Sequence, residues 1–372
     1  MKIPFVDLKS QYEPIKEEIN QSINKVINNC AFVGGEEIEK FEEQFATYCD
    51  RKYCVALSSG TDALLFALKA CGIAEKDEVI TVPNTFIATV EAISHAHAKP
   101  VFIDVDENNY NMDVDLIEQV ITPRTKVIMP VHLYGSCADM DIVNAIARKH
   151  NIFVIEDSCQ AHGSRYKGKK AGSLGDIGCF SFYPSKNLAA FGDCGAVVTD
   201  NKDIYKKIKM LRDHDQLKKN YHTFRGYNGR MDTIQAAVLL VNLKYLDYWN
   251  EKRRKFAGIY NEHLSGIKKI IIPEEAPWSR SNYHLYVIRF LSQHKNRDQL
   301  REELSQRGIA TGIHYPLPIH FQKAYKYLGY PKGSFPVCEK YSEQILSLPM
   351  NPCLTKRKIN QVCDAIKDIL NE

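Results

Sequence analysis

Eleven cysteines in 372 residues form no C-x-x-C pair, which removes the spacing of a zinc ribbon or a thioredoxin-type redox site. Several sit in apolar runs, as buried thiols do, and so many unpaired cysteines suit a reducing compartment. No run reaches the ~20 apolar residues of a membrane span. The opening Met1-Lys-Ile-Pro-Phe-Val-Asp lacks the apolar core of a signal peptide. Charge of neither sign dominates, since 49 basic and 45 acidic side chains leave +4. Lys167-Gly-Lys-Lys170, Lys206-Lys207 and Lys252-Arg-Arg-Lys255 are short and scattered, so they read as solvated faces rather than a nucleic-acid surface. A soluble, cytoplasmic protein with neither nucleic-acid nor membrane partners is expected.

Nucleotide fingerprints are missing too. No G-x-G-x-x-G occurs, and Gly163-Ser-Arg-Tyr-Lys-Gly-Lys-Lys170 only approaches a P-loop. Lys170 stands where a magnesium-binding Ser or Thr must be, and Tyr166–Ala171 reads as a hairpin instead of a helix start. His314 and His320 are separated by two prolines with no carboxylate cluster nearby, so no metal site is expected.

What is present is ordinary globular composition, 44% hydrophobic and 25% charged, in a chain long enough for two domains. Residues 11–50 read as helical, broken at Gly34-Gly35. From Ile38, apolar residues recur with a helical period through Phe41, Phe45 and Tyr48. Strands are expected at 53–57, 78–82, 100–105, 126–131, 152–157, 179–183 and 195–200, with helices at 63–69, 88–97, 139–150, 202–212 and 233–251 between or after them. That alternation predicts an α/β fold with a mostly parallel sheet covered on both faces. The segment 213–232 is polar, aromatic and Gly-containing, and reads as irregular. After residue 252 the pattern changes to a strand at 283–290, a charged helix at 297–307 and a last helix at 355–370. The expected division is a large domain, 1–251, and a smaller α+β domain, 252–372.

The chemistry concentrates between Asn151 and Gly195. Ile152-Phe-Val-Ile-Glu-Asp157 is an apolar run ending in two carboxylates, a buried strand with Asp157 at its C-terminal end. In Cys179-Phe-Ser-Phe-Tyr183, a period of two sets Ser181 and Tyr183 on one face and Phe180 and Phe182 on the other. Pro184 ends that strand and passes Lys186 to a loop. Earlier, Ser58-Ser-Gly-Thr-Asp62 joins a strand to a helix start, where free N–H groups and the helix dipole favour an anion. N-capping alone would explain that turn equally well. A lysine, an acid at a strand end and a phosphate turn together suit pyridoxal 5′-phosphate (PLP), which takes a lysine Schiff base and an acid at its ring nitrogen.

These stretches, with Gly226-Tyr-Asn-Gly-Arg-Met-Asp-Thr-Ile-Gln235, resemble the DegT/DnrJ/EryC1/StrS family of PLP-dependent sugar aminotransferases over nearly the whole chain. The resemblance implies the aspartate-aminotransferase-like fold, fold type I. It implies Lys186 as the Schiff-base lysine and Asp157 as the partner of the ring nitrogen. Gln160 would lie near the ring hydroxyl, and Phe86 would stack on the ring. Gly60, Thr61 and Ser181 would hold the phosphate. Asn228 would reach the phosphate site of a second subunit, making a homodimer with shared active sites. Tyr183, Tyr221, Arg230, His314 and Tyr315 fall in segments the family uses around its substrate.

By the same resemblance, the amino group passes from glutamate to a ketone on a nucleotide-linked sugar. Some dehydratases of the wider family carry histidine in place of Lys186; this chain keeps lysine, as full transamination needs. The stretch Ser181–Gly195 looks most like the 3-aminotransferases of dTDP-3-keto-6-deoxyhexoses. The 4-amino branch tends to have histidine at Tyr183 and Thr-Thr-Gly-Glu around Ala189–Asp193. Cys194 departs from the glycine common in these motifs. A 4-keto nucleotide sugar and a cyclitol stay open as alternative acceptors.

Overall fold

The computed structural model describes residues 2–371. Seven strands form one sheet: β1 (Tyr53–Leu57), β2 (Glu78–Thr81), β3 (Lys99–Phe102), β4 (Thr125–Ile128), β5 (Phe153–Asp157), β6 (Ile177–Ser181) and β7 (Gly195–Thr199). Their order is β1-β7-β6-β5-β4-β2-β3. Neighbours from β6 through β3 pair parallel, while β7 pairs antiparallel with both β1 and β6. Six of the seven strands therefore send their C-terminal ends to one edge of the sheet, where ligands of such folds sit.

Helices cover both faces. The helix Gly60–Ala70 buries eight of its eleven residues, packing Leu64, Phe66 and Leu68 with Val55, Ile155 and Cys179. On the other face, Phe41 and Phe45 of the helix Glu36–Tyr48 meet Phe180 and Phe182, with Phe45 edge-on to both rings at 5.0 and 5.1 Å. The two-residue period around Ser181 thus holds: the phenylalanines go to the core, and Ser181 and Tyr183 do not.

A second, three-stranded antiparallel sheet joins β8 (Ile270–Ile271), β9 (Tyr286–Phe290) and β10 (Ile345–Leu348), with β9 in the middle. Helices Leu246–Leu264, Arg297–Gln306 and Lys356–Asn371 complete its core around Tyr260, Tyr286, Leu304 and Ile366. The hairpin expected after Gly163 forms, Arg165–Tyr166 against Lys169–Lys170. All eleven cysteines are free.

Three local expectations change. The helix expected over 233–251 is two, Thr233–Leu243 and Leu246–Leu264. At the junction Lys244 and Tyr245 donate three residues back, to Val241 and Asn242, so the chain tightens and the helix axis resets. Glu18 takes both the Lys244 ammonium and the Tyr245 hydroxyl there. Next, the strand expected from 283 starts at Tyr286, because Tyr283 sits at φ 46°, outside strand geometry. Last, 213–232 is not wholly irregular: Gln216–Lys218 pairs with Tyr221–His222, turning at Asn220 with φ 66°.

Candidate active site

Four strand ends build the site. Leaving β1, Ser59 caps the helix Gly60–Ala70, its Oγ accepting from the Asp62 amide at 3.0 Å. Gly60 is required by closeness: a Cβ there would lie 2.6 Å from the Ser181 Cβ at the end of β6. The helix N-terminus is thereby pressed against the Ser181 hydroxyl, and both can face one anion. Beyond β2, Phe86 leads into the helix Ile87–His95. At the end of β5, Asp157 is buried; its Oδ2 accepts from Thr89 Oγ1 at 2.7 Å and its Oδ1 from the Cys159 amide at 3.2 Å.

These groups line one cavity of about 520 Å³ together with Lys186. The turn after Pro184, closed by the Lys186 amide on the Tyr183 carbonyl at 2.8 Å, holds the lysine half-buried in that cavity. Burial lowers its pKa from the ordinary lysine value, while Cys159 and Asp157 act the other way. The result is an amine that gives up its proton more readily than a surface lysine. Gln160 is oriented at both ends, accepting from the Tyr134 amide at 2.7 Å and donating to the Tyr315 hydroxyl at 3.2 Å.

The smaller sheet supplies the far wall. Gly312 and Ser347 exchange backbone hydrogen bonds, which carries His314 and Tyr315 to the cavity. His314 Nδ1 lies 2.8 Å from Ser347 Oγ, and burial brings its pKa down to about 4. Phe86 and Tyr315 face each other at 5.8 Å, with Phe86 and Tyr183 both about half exposed at the mouth.

Gly60, Thr61, Phe86, Asp157, Gln160, Ser181, Tyr183, Lys186, His314 and Tyr315 are therefore brought together. Tyr221, Asn228 and Arg230 are not. Tyr221 and Asn228 are exposed on the 213–230 segment, and Arg230 pairs with Asp213. Sequence reasoning passed over Thr85, Thr89, Cys159, Asp193 and His284, which share the cavity. The four-residue spacing of Thr85 and Thr89, whose hydroxyls meet at 2.8 Å, was the available signal for that pair. A larger depression, about 610 Å³, lies apart, between 102–120 and 334–337. Its Asp104, Asp106 and Asp113 carboxylates accept from backbone amides nearby.

Glu156, one residue before Asp157, is a structural anchor. It accepts from the Gly172, Leu174 and Gly175 amides, each at 2.7 Å, and lies 2.9 Å from His132 Nε2. Burial pushes its pKa up, but His132 and these amides override that and hold it below the ordinary carboxylate value. Glu156→Ala is expected to destabilise the fold by about 3–5 kcal/mol, as when one partner of a buried charged cluster is removed. Urea unfolding measures this, and a loss below about 1 kcal/mol would contradict the anchoring role.

Residues 13–367 match the profile of the DegT/DnrJ/EryC1/StrS aminotransferase family. The dTDP-3-amino-3,4,6-trideoxy-alpha-D-glucose transaminase of Streptomyces venezuelae is 41% identical over 99% of this chain and 96% of its own. The UDP-N-acetyl-3-dehydro-alpha-D-glucosamine 3-aminotransferase of Acidithiobacillus ferrooxidans is 42% identical over 99% and 98%. Among solved structures, S. venezuelae DesV superposes with a TM-score of 0.96 at 40% identity, covering 100% of this chain and 99% of its own.

The cofactor is PLP, and the described residues fit it. A half-buried lysine of lowered pKa, a buried carboxylate at a strand end and a helix N-terminus that only glycine allows to meet Ser181 surround one cavity. The chain belongs to the DegT/DnrJ/EryC1/StrS aminotransferase family and is a PLP-dependent aminotransferase of fold type I.

Proposed function

We propose that the chain moves an amino group from glutamate to C3 of a dTDP-linked 3-keto-6-deoxyhexose. The observation that carries it is the meeting of Lys186, Asp157 and Ser181 in one cavity, in a chain with relatives, the two above among them, that carry a 3-amino position in their names. Those relatives differ in nucleotide, so they support the position of the ketone more firmly than the dTDP.

When bound, PLP supplies a carbonyl carbon for an amine and a ring that takes up electrons from the carbon losing its proton. Lys186 would hold that carbonyl carbon at rest. Once displaced, its Nζ would take a proton from the amine-bearing carbon of the donor and pass it to the carbon it had held. It would run the same transfer backwards to protonate the acceptor carbon in the second half-reaction. Its lowered pKa favours this, because the free amine is the form that accepts a proton. The Asp157 carboxylate would keep a proton on the ring nitrogen, and Thr89 and the Cys159 amide hold it in place. Gly60, Thr61 and Ser181 would receive the phosphate at the helix N-terminus. Phe86 would cover one ring face, and Gln160 would meet the ring hydroxyl.

Asn228, Tyr221 and Arg230 would complete the site of a second copy in a homodimer. None of the three lines the cavity of its own protomer, and Tyr221 and Asn228 are exposed, which supports this. His314, Tyr315 and Tyr183 would border the nucleotide sugar. The chain would comprise a large domain, 1–251, and a small one, 252–372, with the helix Leu246–Leu264 running through the joint. No helix among the described residues is long and apolar enough to cross a membrane, and we place the enzyme in the cytoplasm.

The test supplies glutamate with either the 3-keto or the 4-keto dTDP-6-deoxyhexose and locates the new C–N bond by NMR. An amine at C3, formed from the 3-keto sugar, is expected. Turnover of the 4-keto sugar alone would overturn the regiochemistry, and turnover of neither would overturn the dTDP-sugar reading.

A further inference from the structure

One cavity-lining histidine has no part in the chemistry above. His284 is only 8% exposed and lies in the loop that enters β9, so it reaches the cavity from the smaller sheet. Its orientation is fixed by a buried amide network. Asn187, the residue after Lys186, donates through Nδ2 to Asn250 Oδ1 at 2.8 Å and to the Asn282 carbonyl at 3.3 Å. Asn250 Nδ2 in turn donates to the His162 carbonyl at 2.8 Å. With its nitrogen committed twice, Asn187 has only its oxygen for His284, and Oδ1 lies 3.0 Å from His284 Nδ1.

An amide oxygen only accepts, so Nδ1 must carry the proton. The other nitrogen, Nε2, is then a bare lone pair. It has no hydrogen-bond partner among the described residues, yet it is not among the sealed unpartnered atoms, whereas both ring nitrogens of His162 are. Nε2 is thus the imidazole atom open to the cavity that His284 lines. Burial first, and then the positive charge of Lys186, keep the ring neutral by lowering its pKa well below the ordinary histidine value.

We propose that His284 is a substrate-positioning residue whose Nε2 accepts a hydrogen bond from a sugar hydroxyl. The inference rests on the nucleotide-sugar reading above and deepens it. Glutamate does not suit this acceptor: its carboxylates offer only lone pairs, and its amine is the group that must take the place of Lys186. The nucleotide sugar does carry donors, and its hexose hydroxyls are the ones beside the carbon that reacts. A neutral imidazole locked as an acceptor therefore sorts the two substrates that must share the cavity in turn.

Two substitutions separate the two nitrogens. His284→Asn keeps an N–H near Nδ1 for Asn187 and removes the acceptor at Nε2. His284→Gln places an amide oxygen near Nε2 and gives up the bond to Asn187. The cofactor-loaded proteins are titrated calorimetrically with the amino-sugar nucleotide product, and the KM values for glutamate and keto-sugar are measured separately. Thermal melting reports folding.

With His284→Asn the sugar dissociation constant and KM are expected to rise about 5- to 100-fold, the range for one buried partner lost. The KM for glutamate should shift less than about threefold. With His284→Gln the sugar affinity should stay within about fivefold of wild type even if the melting temperature falls. The reverse order, with His284→Gln the weaker binder, would show that only the Asn187 contact matters and would overturn the proposal. So would equal losses for glutamate and sugar, or wild-type sugar affinity in both variants. If the wild-type protein itself binds no nucleotide sugar, the underlying reading fails, and that result is visible before any variant is compared.

Discussion

Replacing Lys186 with alanine is expected to abolish transamination and the covalent retention of PLP together. The lysine occupies two roles in the proposed mechanism, and alanine has no substitute for either. Loss of the positioned proton carrier alone lowers rates by about 10²- to 10⁴-fold, and the lost covalent link adds to that. The fold should survive. Lys186 is only half-buried, makes no ion pair among the described residues, and its burial disfavours its own charge. Alanine thus removes an uncomfortable ammonium rather than a supporting contact. A variant that melts near wild type, shows no band for lysine-linked cofactor and has no turnover is the expected result. Full aminotransferase activity in Lys186→Ala would mean that another residue carries the chemistry.

The second large effect is expected at Asp157. Asparagine there would keep its Oδ1 on the Cys159 amide and turn its Nδ2 to the Thr89 hydroxyl, which can accept, so the end of β5 should keep its shape. What disappears is the negative charge. Removing one side of a buried, hydrogen-bonded charge pair costs about 2–5 kcal/mol, or roughly 30- to several-thousand-fold in rate. The loss should appear in kcat for both substrates, because both deprotonations depend on the same ring nitrogen. The apparent affinity for the keto-sugar should change little. If Asp157→Asn raised the sugar KM and left kcat intact, the carboxylate would be a substrate contact instead.

Much of the site was readable because its residues stand at the ends of strands whose patterns are strong. Asp157 closes an apolar run, and Ser181 alternates with two phenylalanines that prove fully buried. Gly60 follows a short strand at a capped helix start, and the reason it must be glycine is its contact with β6. That contact joins residues more than a hundred positions apart, so no local pattern records it. Thr89 and His284 were hidden for a related reason. Their neighbours in sequence suggest a buried helix and a strand, and only the assembled sheet turns their polar atoms toward Asp157 and the cavity. The break after Leu243 was equally invisible, since apolar spacing continues across it while Glu18, from a distant helix, secures the junction. Tyr221, Asn228 and Arg230 belong to a different kind of question, because their proposed roles lie in a second copy of the chain.

The measurement closest to the central claim is chemical trapping on the intact wild-type protein. The PLP-loaded enzyme is reduced with borohydride, digested, and mapped by mass spectrometry for the peptide carrying the cofactor. A parallel sample receives glutamate before reduction. The account predicts cofactor mass on Lys186 alone in the first sample, and its disappearance from that peptide in the second, as the donor's amine displaces the lysine. Cofactor fixed to another lysine, or to none, would contradict the assignment on which the whole site rests.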